Sequence, residues 1–143
     1  MLDIDFDDLK FSMKPLSRQT EGNGGAYMDW LKLEVKVMDG NFSGRVHWLA
    51  MPSEIIEFRN KISKVYESLA CGKKGVDPIS FSGVEPDFSL IMSVANSVGH
   101  IFAQYTLKNS PDGPTLQGSF GLDQSYLPRW IEALDEMLEF RDA

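Results

Sequence analysis

The sequence has little cysteine and little histidine. Its 143 residues include one cysteine, Cys71, and two histidines, His47 and His100. A single cysteine excludes an internal disulfide framework and is typical of a reducing compartment. A metal site usually needs three or four ligands of the His, Cys, Asp and Glu types, and no Asp, Glu or Cys joins the histidines at ligand spacing. The sequence therefore predicts no metal and no other cofactor.

Basic charge and long apolar runs are also scarce. Lys and Arg number 14 against 21 Asp and Glu, which gives a formal net charge of −7. Such acidity disfavours non-specific binding to nucleic acid and to anionic membranes, and it suits a basic protein partner. The opening residues, MLDIDFDDLK, carry acid where a secretory signal needs base. No apolar run is long enough to cross a bilayer. We therefore expect a cytoplasmic protein that binds neither nucleic acid nor membrane.

Catalytic motifs are absent as well. The glycines in residues 17–26 resemble a nucleotide loop only superficially, because no strand clearly precedes them and no helix follows. Residues 72–75, Gly-Lys-Lys-Gly, follow a predicted helix, whereas anions bind at helix N-termini. Cys71 has no His near it in a recognisable pattern, and no nucleophile elbow places Ser, His and Asp together. The sequence predicts a protein that is not an enzyme.

Alternation of apolar and polar residues predicts an antiparallel sheet. Residues 30–38 and 42–51 form a hairpin around the turn sequence Asp39-Gly40-Asn41. Four further strands follow at about 78–83, 87–94, 98–108 and 115–122. Short turns join them, which implies an antiparallel meander. The turns are Glu85-Pro86-Asp87, Ala95-Asn96-Ser97 and the loop of residues 109–114.

Two segments have apolar residues at helical spacing. One begins at Ser53, which can cap it, and continues to Leu69. The other begins at Asp123 or Ser125, continues to residue 140 and includes Trp130 and Leu134 on its apolar stripe. Each helix has a single apolar stripe, so each can cover a sheet and still face water. The predicted fold is therefore α+β, an antiparallel sheet of about six strands in the order β-β-α-β-β-β-β-α, with two helices packed on one face.

The N-terminal residues show a weaker pattern. Leu9, Phe11 and Met13 alternate with polar residues, which favours a short edge strand that Pro15 ends. Residues 17–26 are typical of a flexible loop. We expect one domain over residues 1–143, with residues 1–26 partly flexible and the core in residues 30–140.

The alternation also assigns each strand residue to a face of the sheet. The helix-covered side is predicted to carry Leu31, Leu33, Val35, Val46, Trp48, Ile79, Phe81, Phe88, Leu90, Met92, Ile101, Ala103, Tyr105, Leu116, Phe120 and Leu122. The opposite side is predicted to carry Lys32, Lys36, Arg45, His47, Ser80, Ser82, Ser89, Ser93, His100, Phe102, Gln104, Gln117 and Ser119. This polar side is either solvated or a docking face for a partner or a second copy of the chain.

Four carboxylates cluster on the outer face of the final helix. They are Glu132, Asp135, Glu136 and Glu139. Like charges at i,i+4 cost a helix a few tenths of a kcal/mol. The cluster is either a solvated face or a surface that binds a basic protein.

Several of these residues carry a resemblance to a known family. They are Trp30-Leu31, Phe42-Ser43-Gly44 with Trp48, the helix of residues 53–69, residues 88–92, Gly99-His100-Ile101, and residues 120–127, Phe-Gly-Leu-Asp-Gln-Ser-Tyr-Leu. From Trp30 to Leu138 the chain resembles the WapI-type bacterial immunity proteins. The resemblance implies a cytoplasmic antitoxin that binds the toxic domain of a secreted toxin stoichiometrically. It transfers no catalytic residues, and it implies a basic toxin partner.

Three classes of function remain open from the sequence. The favoured one is a non-catalytic immunity protein that neutralises a cognate toxin domain, with the four carboxylates as the candidate binding surface. The alternative is a small homo-oligomeric regulatory or accessory protein, and formation of a homodimer is compatible with both. An enzyme or carrier is disfavoured, because a pocket between sheet and helices would be lined by apolar residues.

Overall fold

A computed structural model describes residues 1–6, 8–20, 29–73, 75–82, 87–95, 99–110 and 112–141. The strands are β1 (Leu2–Phe6), β2 (Leu9–Thr20), β3 (Asp29–Asp39), β4 (Phe42–Ala50), β5 (Ile79–Ser82), β6 (Phe88–Val94), β7 (His100–Lys108) and β8 (Thr115–Asp123). The helices are α1 (Pro52–Ala70) and α2 (Leu127–Glu139), and a 3-10 turn, Gln124–Tyr126, precedes α2. Each strand pairs antiparallel with the next one in its sheet, so the predicted α+β class is confirmed.

The strands form two sheets, and the prediction of a single sheet of about six strands is wrong. The first sheet has the order β1-β2-β3-β4 and the second has the order β5-β6-β7-β8. Helix α1 lies between them in the chain and contacts β3 of one sheet and β5 of the other. Because alternation along a strand reports which face is buried but not which strand lies beside it, the sequence pattern did not separate the two sheets.

The N-terminal residues belong to the core, which corrects the predicted core boundary at residue 30. Strand β2 does not end at Pro15 but continues to Thr20, with a register shift between Pro15 and Ser17. A bulge is a place where a sheet tolerates a proline, since the missing N–H would otherwise break the ladder. Leu2, Ile4, Phe11 and Met13 are fully buried. Of the predicted flexible loop, residues 21–26 lie outside the described part of the chain, as do Glu85-Pro86 and Asn96-Ser97 of the predicted turns.

The buried residues form a single cluster between the sheets and the helices. All of the strand residues predicted to face the helices are buried except Ile79 and Leu116, which are half-buried, and none of those predicted to face away is buried. Trp130 and Leu134 of α2 are also buried, as predicted. Phe11 lies at the centre, with its ring 5.5 Å from that of Phe120.

Strand β7 is joined to the first sheet by a polar contact. The Tyr105 hydroxyl donates to Asp39 Oδ2 over 3.0 Å. Burial of Tyr105, together with this hydrogen bond, raises the pKa of its hydroxyl to about 12. Gly118 lies opposite Tyr105 in the ladder, and a Cβ at that position would overlap the tyrosine hydroxyl. A residue other than glycine would therefore displace the side chain that joins the sheets.

Polar contacts close the first turn of α1 and the 3-10 turn that precedes α2. Glu54 accepts a hydrogen bond from the Met51 backbone N–H over 3.1 Å, so the N-cap position of α1 is Met51 and the predicted cap at Ser53 is wrong. Asp123, predicted with Ser125 as a start of the last helix, caps the 3-10 turn, whereas the N-cap of α2 is Tyr126. Pro128 lies in the first turn of α2. Hydrogen bonds from Ser125 lower the pKa of Asp123.

Candidate partner-binding surfaces

The predicted acidic surface lies on α2 and consists of residues that differ in their surroundings. Glu132, Glu136 and Glu139 are exposed, whereas Asp135 is half-buried. Asp135 accepts two hydrogen bonds from Arg59 of α1, with N–O distances of 3.1 and 3.4 Å. Glu136 lies 3.9 Å from the amino group of Met1. We call Glu132, Glu136 and Glu139 the acidic face, because Asp135 is already held by the other helix.

The acidic face does not stabilise the helix that carries it. Glu132 and Glu136 are four residues apart, so their charges repel. Glu136 and Glu139 lie in the C-terminal half of α2, where the helix dipole already presents partial negative charge, and the last turn of α2 contains no basic residue. Within α2 itself these carboxylates are therefore unfavourable, whereas outside the helix Glu136 pairs with the amino group of Met1.

Arg18 of β2 holds the same end of α2 in place. One of its nitrogens, Nη1, donates to the carbonyl oxygens of Leu138 over 2.7 Å and Phe140 over 3.2 Å. Its Nε and Nη2 donate to the two carboxylate oxygens of Asp29 over 2.9 and 2.7 Å. The Arg18 side chain is only 8% exposed. A buried cation at a helix C-terminus satisfies unpaired carbonyl groups and opposes the negative end of the dipole.

The contact between Arg18 and Asp29 shifts the pKa of both groups. Hydrogen bonds from Arg18 lower the pKa of Asp29, and the same bonds raise the pKa of Arg18. The sequence pattern predicts a loop at Arg18 and gives no indication of this site. No local signal could have shown it, since Arg18 and Leu138 are 120 residues apart.

Cations outnumber carboxylates on the outer face of the first sheet, although the chain as a whole is acidic, and we call this surface the basic face. Glu34 lies 3.7 Å from Lys14, 3.9 Å from Arg45 and 3.5 Å from the His47 ring. Further cations on the same face are Lys10, Lys32 and Lys36, and its other carboxylates are Asp3 and Asp5. The carboxylate beside His47 comes from the neighbouring strand, which the search for ligand spacing along the chain could not detect.

The outer face of the second sheet has little charge. Its centre carries Ile91 and Phe102, which are 43% and 40% exposed. Ser, Thr, Gln and Gly occupy most of the remaining outward positions. We call this surface the neutral face, defined by the outward side chains of β5–β8, which are Ser80, Ser82, Ser89, Ile91, Ser93, His100, Phe102, Gln104, Thr106, Lys108, Thr115, Gln117, Ser119, Gly121 and Asp123.

The residues with reactive side chains lie on separate elements. Cys71 follows α1, His47 is on the first sheet and His100 is on the second. Within the described ranges, no group of three or more His, Cys, Asp and Glu residues could hold a metal ion. A cavity between α1 and the second sheet has a volume of about 10 Å³ and is lined mostly by apolar residues such as Ile62, Val65 and Met92. It has room for about one water molecule. A larger open cleft of about 370 Å³ lies on the outer side of the first sheet and is lined by Ser17, Gln19, Trp30, Lys32, His47 and Leu49.

Comparison with known proteins assigns the chain to a family. The profile of the Immunity protein WapI-like family matches residues 1–140. The chain belongs to the WapI-like immunity protein family. The match begins at the N-terminus, so the WapI-like pattern extends beyond the range of Trp30 to Leu138 that the sequence resemblance covered. It includes β1 and β2, which agrees with their place in the core.

Solved structures show a related fold at low sequence identity. The structure of the plant transcriptional regulator PBF-2 matches with a TM-score of 0.52 and 11% identity, covering 96% of this WapI-like chain and 87% of that one. The structure of WHY1 from Arabidopsis thaliana matches with a TM-score of 0.49 and 12% identity, covering 96% and 87% of the two chains. No curated protein matches the chain. Among the described residues, neither helix combines the length and apolar character that a membrane span requires.

Proposed function

We propose that this protein is a cytoplasmic immunity protein that neutralises a cognate toxin domain by binding it stoichiometrically. The observation that carries the proposal is the match to the WapI-like immunity family over residues 1–140. Inhibition follows from occlusion of the toxin, so the protein itself needs no reactive group. Cys71, His47 and His100 lie on different elements, which supports a binding role over a catalytic one.

The acidic face of α2 is the surface that we propose for the toxin. Glu132, Glu136 and Glu139 project from one side of a helix whose opposite side is buried by Trp130 and Leu134. A rigid helix that presents carboxylates to water suits a basic protein, because complementary charge speeds association and excludes wrong partners. Asp135 contributes indirectly, since its bond to Arg59 sets the position of α2 against α1.

Removal of charge from the acidic face is expected to slow toxin binding. The variant carries Glu132→Gln, Glu136→Gln and Glu139→Gln, and it keeps Asp135 because that residue joins the helices. We expect the association rate constant to fall by about three- to tenfold at low salt, with a shallower salt dependence. Stopped-flow or surface-based kinetics with the purified toxin domain across a salt series measures both quantities.

The control for this experiment removes equal charge elsewhere. Asp8→Asn, Glu67→Gln and Asp112→Asn neutralise three exposed carboxylates outside α2. If the two triple variants slowed association equally, net charge alone would explain the effect. If neither slowed association, the toxin would bind another surface and the assignment to α2 would be wrong.

The proposal also predicts that no single reactive side chain is needed for protection. We expect His47→Ala, His100→Ala and Cys71→Ser each to leave protection of toxin-expressing cells nearly unchanged, because all three residues are exposed. Removal of a catalytic acid, base or nucleophile usually costs a factor of about 10² or more. Survival is measured beside toxin affinity. A variant that kept normal affinity but lost protection would replace the occlusion mechanism with enzymatic detoxification.

A further inference from the structure

We propose that the neutral face of the second sheet is a docking surface for a second copy of this chain. The face is formed by strands β5–β8 and lies on the opposite side of that sheet from the core residues Leu90 and Ala103. The charge, the surface shape and the area of the neutral face support this proposal. The proposal is independent of the immunity function.

Charge favours self-association at this face over any other described surface. Two copies of a chain with a formal net charge of −7 repel each other. On the neutral face, Lys, Arg, Asp and Glu occur only at opposite ends, as Lys108 and Asp123. His100 is beside Asp123 at that end of the ladder. Depletion of charge at the centre is the feature that distinguishes interface cores from the rest of a protein surface.

The other two faces would oppose a second copy. A symmetric contact through the basic face would bring together two surfaces on which five cations, Lys10, Lys14, Lys32, Lys36 and Arg45, outnumber the carboxylates of Asp3, Asp5 and Glu34. A symmetric contact through α2 would set carboxylates against carboxylates. Like charges brought together at an interface cost several kcal/mol. These two faces therefore suit partners of opposite charge, whereas the neutral face suits a copy of itself.

The neutral face has a projection beside an open space. Phe102 is opposite Ser93 on one side and Gly121 on the other. A Cβ at Gly121 would meet no side chain within 4 Å, so the space over Gly121 is open. Ile91, opposite Ser80 and Gln104, is the second exposed apolar side chain. A two-fold contact requires one patch to fit itself, and the Phe102 ring of one copy can enter the open space over Gly121 of the other.

The area is close to the lower limit for a specific contact. The four strands contain 4, 7, 9 and 9 residues. At ~3.3 Å per residue and ~4.8 Å between strands, the sheet has a flat area on the order of 450 Å². The accessible area is larger, because the side chains project from the plane. A specific interface buries at least about 500 Å² per partner.

The test is the mass of the full-length chain in solution as a function of concentration. Sedimentation equilibrium of the wild-type protein is expected to show a monomer–dimer equilibrium. Phe102→Asp and Ile91→Asp are each expected to raise the dimer dissociation constant by at least about 30-fold, because each removes an apolar anchor and places like charges together. The matched controls are Phe42→Asp and Met38→Asp, which change exposed apolar residues of the first sheet and should leave the equilibrium unchanged.

A further variant covers the case in which the substitution of Phe102 or Ile91 disturbs folding. Ser119→Glu changes an exposed polar residue opposite Gln104 and is expected to weaken the dimer without loss of circular dichroism signal. A wild-type chain that remains monomeric at high concentration overturns the proposal. A dimer that survives Phe102→Asp, Ile91→Asp and Ser119→Glu in folded form also overturns it. If the chain is monomeric and Phe102→Asp abolishes toxin binding, the toxin is the occupant and the proposal is wrong.

Discussion

Replacement of Phe11 by alanine is expected to lower the free energy of unfolding by about 3–5 kcal/mol. Phe11 is 1% exposed, and its ring lies within 6.4 Å of four other aromatic rings, those of Phe88, Tyr105, Phe120 and Trp130. These residues come from the second sheet and from α2. Truncation of Phe11 would therefore open a cavity where three parts of the fold meet, and the surrounding rings could not collapse fully into it.

The measurement is chemical denaturation followed by tryptophan fluorescence or circular dichroism. A loss of this size is a large part of the ~5–15 kcal/mol that stabilises an ordinary domain, so the Phe11→Ala protein could unfold. Phe11→Leu is a milder second variant for that case. The matched control is Phe42→Ala, since Phe42 is 70% exposed and its loss should cost less than about 0.5 kcal/mol. Equal effects of Phe11→Ala and Phe42→Ala would show that β2 is not part of the core.

Replacement of Arg18 by methionine is expected to cost about 2–3 kcal/mol. The substitution keeps much of the side-chain volume but leaves Asp29 without its partner and the carbonyl groups of Leu138 and Phe140 without a donor. Asp29 retains 22% exposure of its side chain, so water can partly replace the guanidinium, and the expected cost is below that of a fully buried pair. Urea denaturation at neutral pH measures this cost.

A second substitution separates the two functions of Arg18. In an Asp29→Asn background, Arg18→Met leaves no charged Asp29 side chain without its guanidinium partner. The loss of unfolding free energy that remains in this background then measures the contacts of Arg18 with the carbonyl groups at the end of α2. The control is Arg129→Met, because Arg129 is 65% exposed and lies 4.0 Å from Asp3. Its substitution should change stability by less than about 1 kcal/mol. An Arg18→Met protein as stable as the control would contradict the structural role of Arg18.

The same contact makes stability depend on pH in the acid range. Hydrogen bonds from Arg18 lower the pKa of Asp29 in the folded state, whereas an unfolded Asp has a pKa of about 3.9. The stabilisation is therefore fully present above about pH 4 and is lost as the pH falls through the folded-state value. The Arg18→Met variant should lack this part of the acid destabilisation. If both proteins lost stability in parallel between about pH 4 and 2, the contact with Arg18 would not account for the acid destabilisation.

Much of the core could be predicted because its signal is local. Alternation in β3, β4 and β6–β8 identifies the buried face, since successive side chains on a strand point to opposite sides. The apolar residues of α2, which include Trp130 and Leu134, recur at helical spacing and therefore identify the buried side of the helix. The residues of the junction Phe120 to Leu127 also carried the family resemblance, which the profile match over residues 1–140 then confirmed.

The candidate surfaces were predicted only in part. Helical spacing placed Glu132, Glu136 and Glu139 together on one side of α2, but it could not show that Asp135 is held by Arg59, 76 residues away in the chain. The outward positions of the strands were also predicted. Their separation into a basic face and a neutral face depends on which strands share a sheet, so it followed only from the topology.

The sequence by itself determined the buried face of β3–β8 and of α2, because that choice depends on the alternation of neighbouring side chains. Only the tertiary structure decided that the strands divide into two sheets, that β1 belongs to the core, that β2 continues past Pro15, and that Arg18 meets the end of α2. Each of these features depends on contacts between residues distant in the chain. The sheet accommodates Pro15 at a bulge, and the negative end of α2 binds the Arg18 guanidinium. Neither the bulge nor the helix end can be predicted from the residues adjacent to Pro15 or Arg18 in the sequence.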